Sequence, residues 1–322
     1  MLTSSQESLD KNQLLFDVWN GRIPKRVPLL PFFGIDVALE YAGIQTNNRD
    51  LNAQEVLNAA EYLSGTIKSD ILPIAFLSST ETQRFGYPDN RKIRCFSELP
   101  EYNEIAAKHK KATVPFCGFA ATVPLACMHN RYSEERSHER SVVKSGSNSE
   151  YNDYDILLKK CCFNGMENGT KHHRIALFPI LSDGTDITAF EKIYWPNFQS
   201  FCNELDSNGY GISLILDADW ENYTDFLLDL PENTQIKFRT ADAKSIKSKL
   251  GAKHILCGLY PAELLQSRGR QECCDKAKQL LDMLAPGGKY SFGLNRVIHK
   301  CDEINFDNLN AVLETAERYG KY

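Results

Sequence analysis

Short apolar runs alternate with helical patterns along the whole chain. The runs fall at 27–33, 67–74, 113–119, 173–178, 211–216, 234–238, 254–257 and 290–293. Runs this short and this continuously apolar suit parallel strands covered on both faces, because neither face then meets water. Between them lie amphipathic stretches. In 53–64, Val56, Leu57, Ala60 and Leu63 fall on one side of a helix; 189–207 and 306–319 show similar spacing, and 270–285 does so less cleanly. Asp242 stands where it would cap a helix after the sixth run. Strand–helix alternation over about eight units predicts a (β/α)8 barrel, with a helical extension at its amino end and one domain spanning 1–322. A doubly wound open sheet is the alternative. It loses support because no G-x-G-x-x-G follows a strand and no Walker loop is present.

One segment breaks the alternation. The stretch 131–152 (RYSEERSHERSVVKSGSNSEYN) has only Val142 and Val143 as aliphatics. It cannot bury enough apolar surface to offset the entropy of ordering, so it reads as an exposed excursion after the third strand.

Composition narrows the class. The chain has 322 residues, 42% hydrophobic and 25% charged, a size and balance that fit one barrel with insertions. The formal net charge of −5 is spread rather than blocked, which leaves no electrostatic footprint for nucleic acid. No apolar run approaches the roughly 20 residues of a membrane helix, and the first residues lack a leader pattern; a cytoplasmic protein is expected. The ten cysteines are scattered, with no C-x-x-C pair, and read as small buried hydrophobes rather than a disulfide framework.

Several segments in order resemble the uroporphyrinogen decarboxylase superfamily, which includes the cobalamin-linked methyltransferases. Asn20-Gly21-Arg22-Ile23-Pro24 is similar to that family's entry into its first strand, Ser69-Asp70-Ile71-Leu72 to its S-D-I-L at the end of strand two, and Val114-Pro115-Phe116-Cys117-Gly118-Phe119 to its third strand. Ser182-Asp183-Gly184 followed by Phe190 through Pro196 resembles the methyltransferase-like branch, and 287–320 resembles the final strand and helix. The resemblance implies the barrel fold and a working site at the carboxyl ends of the strands. It also implies an enzyme acting on a small methylated or methoxylated substrate, with the corrinoid carried on a partner protein, because this chain has no D-x-H-x-x-G motif. Related barrels often pair, so a homodimer is an expectation as well. Decarboxylation of a porphyrinogen-like acid and a diverged, non-catalytic binding role are the competing readings.

Candidate site residues follow from these matches. By resemblance Asp70 would hold substrate at the end of strand two; its alternative is a capping or ladder-ending hydrogen bond. Asp183 and Asp217 follow the fourth and fifth runs and are candidates for orienting substrate or shuttling a proton. Phe32, Phe33 and Tyr260 would supply apolar wall for a flat ligand, or else core. Arg239 ends the sixth run as an anion binder or the partner of an aspartate.

Two expectations depart from the family. The decarboxylase arginines after strand one are replaced by Phe32 through Asp36, and the family's tyrosine after strand three falls near His129. The methyltransferase branch places a zinc-binding His-x-Cys at the end of strand six, where this chain reads Phe238-Arg239-Thr240. A displaced zinc site would use His254, Cys257, His299 and Cys301. His254 and Cys257 are three apart on a strand, however, and so point to opposite faces. No tightly bound cofactor is otherwise expected.

Overall fold

The computed structural model describes residues 4–44, 53–74, 76–78, 93–95, 101–113, 118–122, 174–179, 187–216 and 219–322. Helix α1 (Ser4–Trp19) is followed by an extended segment, 27–33, then α2 (Ile35–Tyr41) and α3 (Ala53–Thr66). A second extended segment, 67–74, leads to the antiparallel pair β1 (Phe76–Ser78) and β2 (Ile93–Cys95) and to α4 (Tyr102–Lys108). Next come β3 (Gly118–Thr122), β4 (Arg174–Pro179) and a π-helical turn, Phe190–Tyr194, that runs into α5 (Trp195–Ser207). The remainder alternates strand and helix: β5 (Gly211–Leu216), a single helical turn (Thr224–Leu227), β6 (Gln235–Phe238), α6 (Ala243–Leu250), β7 (Ile255–Tyr260), α7 (Arg270–Leu284), β8 (Tyr290–Leu294) and α8 (Phe306–Tyr319). The chain is thus a mixed α/β fold. Among the described residues, no helix is long and apolar enough to cross a membrane. The excursion at 131–152 lies outside the described residues.

Strands β3 to β8 form one parallel sheet in sequence order, with no reversal of the kind a doubly wound sheet shows. The sheet continues past β8. Leu29 bridges Phe292 in parallel, the Leu30 N–H donates to Phe292 O at 2.7 Å, and the Phe292 N–H donates to Pro28 O at 2.8 Å. On its other side, 27–33 meets 67–74: Phe33 bridges Ile74, and the Asp70 N–H donates to Leu29 O at 3.0 Å. The Ala112 N–H then donates to Asp70 O at 2.7 Å, which carries the bonding to the chain leading into β3. The seam with β8 is tight: a Cβ on Gly293 would lie 2.4 Å from the Leu30 carbonyl oxygen.

The sheet separates two apolar clusters. Its outer face (Ile175, Leu177, Ile212, Leu214, Ile236, Phe238, Leu256, Phe292 and Leu294 among others) packs on the flanking helices. Helix α8 shows why its sequence is helical. Leu309, Val312, Leu313 and Ala316 repeat at three and four residues and are buried, and Asn305 caps the amino end by accepting from the Asn308 N–H at 3.0 Å. Asp242 caps α6 in the expected way, accepting from the Ser245 N–H at 2.7 Å. The inner cluster gathers Leu30, Phe32, Ile71, Ala112, Ala176, Ile255 and Cys257 against Leu15, Val18 and Trp19 of α1.

Helix α1 therefore covers one end of the inner face. The Trp19 indole N–H donates to Gln235 Oε1 at 3.0 Å, and the Arg174 guanidinium lies 5.3 Å from the Trp19 ring centroid. Arg174 also donates to Ser213 Oγ at 3.1 Å and to Asn233 O at 2.8 Å. Gln235 opens β6 and Arg174 opens β4, so the covered end is the amino end of the strands.

Candidate active site

Register decides which side chains share the inner face, because paired residues of neighbouring parallel strands point the same way. Ile215 of β5 is level with Lys237 of β6, Lys237 with Cys257 of β7, and Cys257 with Ser291 of β8. Cys257 belongs to the inner cluster, so the whole row faces inward. One row nearer the amino end stand Ala176, Ser213, Gln235 and Ile255. Lys237 is only 2% exposed and Ser291 is fully buried; the Ser291 hydroxyl has no hydrogen-bond partner. Arg239 lies just past the carboxyl end of β6 and is exposed. The six strands of the parallel sheet contain two cations, Arg174 and Lys237, and no Asp or Glu.

Asn295 braces this end. Its side-chain oxygen accepts from the Ala262 N–H at 3.0 Å, its amide donates to Arg239 O at 3.1 Å, and its backbone N–H donates to Tyr260 O at 2.8 Å. One residue thus fixes the exits of β6, β7 and β8 relative to one another. Glu303 orders the next loop: it pairs with Arg296 and accepts from the backbone N–H groups of His299 and Lys300 at 3.1 and 2.8 Å.

Asp70 requires a correction of place. Hydrogen-bonded to Leu29 and four residues before Ile74, it lies toward the amino end of 67–74, not the carboxyl end. It is 1% exposed. Arg26 grips it with two bonds of 2.6 Å, the Leu29 N–H donates to it at 2.8 Å, and Lys11 Nζ stands 3.6 Å away. Burial alone would raise its pKa, but Arg26, Lys11 and the Leu29 amide together hold the carboxyl below its ordinary value. The adjoining surface depression, lined by Lys25, Arg26, Glu317, Arg318 and Lys321, opens at this same end.

The aromatic candidates divide. Phe32 faces the inner cluster, whereas Phe33 faces outward and stacks on Phe306 at 6.2 Å. Tyr260 is also outward, donating its hydroxyl to Cys273 O at 3.1 Å, and so does not line the inner face. Asp36 is exposed in the first turn of α2, just past the carboxyl end of 27–33. Asp183, Asp217 and His129 lie outside the described residues.

The four residues of the displaced zinc site do not converge, and among the described residues no group of three or more His, Cys, Asp and Glu is arranged to hold a metal. Cys257 faces inward. His254 is buried at the opposite end of β7, just after α6. Cys301 donates its thiol to Val37 O at 3.5 Å, and His299 is exposed. Burial pushes the Cys257 thiol up to about 12; burial and the neighbouring Glu40 do the same for Cys301. The inward residue near the end of β6 is Lys237, which offers no anionic ligand. The donor set does not fit zinc.

Lys237, Ser291 and Asn295 are the residues that reading the sequence passed over. The available signal was a lysine between Ile236 and Phe238 in a short strand, since lysine is almost never fully buried without a reason.

The sequence matches no family model and no curated protein. Among solved structures 26 chains match. One is a methyltransferase from Methanosarcina mazei, 13% identical, with a TM-score of 0.54 over 96% of this chain and 98% of that one. At that identity the likeness concerns the fold, and it extends across nearly the full length of both chains.

Proposed function

We propose that the sheet closes as a (β/α)8 barrel and that the protein is a methyltransferase working at the carboxyl ends of its strands. Closure is supported by the bonds that run from β8 through 27–33 and 67–74 to Ala112. The observation that carries the reaction is the end-to-end structural likeness to a methyltransferase. The resemblance in sequence order to the cobalamin-linked branch points the same way. The packing of α1 against the amino end of the inner face supports placing the site at the other end.

In this reading a small methylated or methoxylated substrate sits above Phe32, with Lys237 and Arg239 beside it. Asp183 and Asp217, which follow β4 and β5 in the sequence, orient it or carry a proton. A corrinoid carried on a separate protein would supply the methyl-accepting chemistry. This chain binds, orients and shields the substrate from water. Asp70 is assigned a structural part, and this weighs against the alternative of porphyrinogen decarboxylation, which would rest on that carboxylate. Methyl transfer from methoxy-aromatics and methylamines to free cob(I)alamin, followed by absorbance, tests the reading.

A further inference from the structure

The geometry points to a second site, a depression that binds a phosphate group where the last residues of the chain pair with the entry to 27–33. It lies at the end of the sheet opposite the site proposed above and does not depend on that reading.

The depression has a volume of about 430 Å³. Lys25, Arg26, Arg318 and Lys321 line it, and Glu317 is the one acid among its lining residues. Backbone pairing brings two of the cations together. The Val27 N–H donates to Gly320 O at 2.8 Å, and Arg26 and Lys321 form an antiparallel bridge. Residues directly opposite in such a pair point to the same side, and like charges so placed repel. The nearby acids are already engaged. Asp70 holds Arg26 by two bonds, and Glu317 holds Lys68 at 2.7 Å. Lys321 is exposed and forms no ion pair among the described residues. One layer deeper, Lys11 and Lys111 share the Ser69 carbonyl, at 3.0 and 3.1 Å. Burial first, then the charge of Lys11, pulls the Lys111 ammonium down to about 7. Positive charge therefore exceeds negative charge around the depression.

The lining cations can turn to a ligand at small cost. Lys25 with Asp10 and Arg318 with Glu314 are exposed surface pairs, at 3.1 and 3.7 Å, and pairs of that kind contribute little. A phosphate monoester offers up to two negative charges and three acceptor oxygens, so it can meet Lys25, Arg318 and Lys321 together. A carboxylate, with one charge and two oxygens, meets fewer. The group has two sources, a soluble phosphorylated molecule and the headgroup of a phospholipid. Ile23, Tyr319 and Tyr322, all exposed, stand close to these cations in the chain and suit a headgroup layer.

The two sources are separated by two assays on the full chain. Calorimetry follows titration with inorganic phosphate at constant ionic strength, with sodium chloride as reference. Flotation follows vesicles of phosphatidic acid in phosphatidylcholine, with phosphatidylcholine alone as reference. Saturable phosphate binding identifies a soluble ligand; co-flotation confined to the phosphatidic acid vesicles, without it, identifies a lipid. In either case Lys321→Gln should weaken binding about tenfold and Arg318→Gln severalfold, as loss of charge-assisted hydrogen bonds does. Both side chains are exposed, so both variants should fold. Lys244→Gln, which removes the same charge from an exposed position on α6, should bind as the wild type does. Phosphate no better than chloride together with no preference among vesicles overturns the inference. So does undiminished binding by Lys321→Gln and Arg318→Gln, or an equal loss in Lys244→Gln.

Discussion

Arg26 and Asp70 form a two-point pair, Nη1 to Oδ2 and Nη2 to Oδ1 both at 2.6 Å, at the end of the sheet away from the proposed entry. The pair ties the start of 27–33 to 67–74, and Lys11 of α1 joins it at 3.6 Å. Breaking one partner of a buried pair strands the other, so Asp70→Asn should lower the free energy of unfolding by about 3 kcal/mol. Activity per folded molecule should be nearly unchanged. Urea unfolding with parallel assays checks this; full stability with complete loss of turnover would return Asp70 to the site.

The same carboxylate makes an acid-range expectation. Its folded pKa lies below the ordinary 3.8. The stability it contributes is therefore complete above that value and is lost as pH falls through the lower folded one. Below about pH 4 the wild type should lose stability more steeply than Asp70→Asn.

His254 acts in a higher window. Burial first, with Lys253 beside it, pulls its pKa from 6.5 to about 4. The unfolded chain takes up the proton before the folded one does, so stability should decline from about pH 6.5 toward pH 4 and level off below. His254→Leu should flatten that part of the profile. A wild-type stability curve that is level between those values would contradict the buried, neutral imidazole.

Gly293 tests the seam between β8 and 27–33. A methyl group there would lie 2.4 Å from Leu30 O and 3.0 Å from its carbon, both backbone atoms with little room to move. Gly293→Ala should therefore cost about 3 kcal/mol or more, at the severe end for single substitutions. A neutral effect in thermal unfolding would mean that the two segments are not so closely paired.

Metal content is a direct check on the ligand argument. Protein purified without chelator should carry less than about a tenth of an equivalent of zinc, and chelator should leave its melting temperature unmoved. Near-stoichiometric zinc would require His254, Cys257, His299 and Cys301 to regroup.

The sequence foretold the elements better than it foretold their ends. Apolar runs marked β4 to β8 because period and length are local properties, and 306–319 is a helix with the boundaries its pattern predicts. The run at 113–119 only overlaps β3, at Gly118–Thr122, and the turn of helix at Ile35–Tyr41 was missed because seven residues carry too little periodicity. Asp70 shows a deeper limit. A four-residue match fixes identity, not height along a strand, and the height came from the Leu29 hydrogen bond. Lys237 went unread because its weight comes from Cys257 and Ser291 on neighbouring strands, 20 or more residues away in sequence and level with it only after pairing.

Methyl transfer to free cob(I)alamin bears most directly on the whole account. Wild-type protein with a panel of methoxy-aromatics and methylamines should convert the cob(I)alamin absorbance to that of methylcobalamin with at least one substrate, and Lys237→Met should reduce kcat/KM for that substrate about tenfold or more. No conversion across the panel by folded protein, or undiminished turnover in Lys237→Met, would contradict a methyltransferase working at the carboxyl ends of these strands.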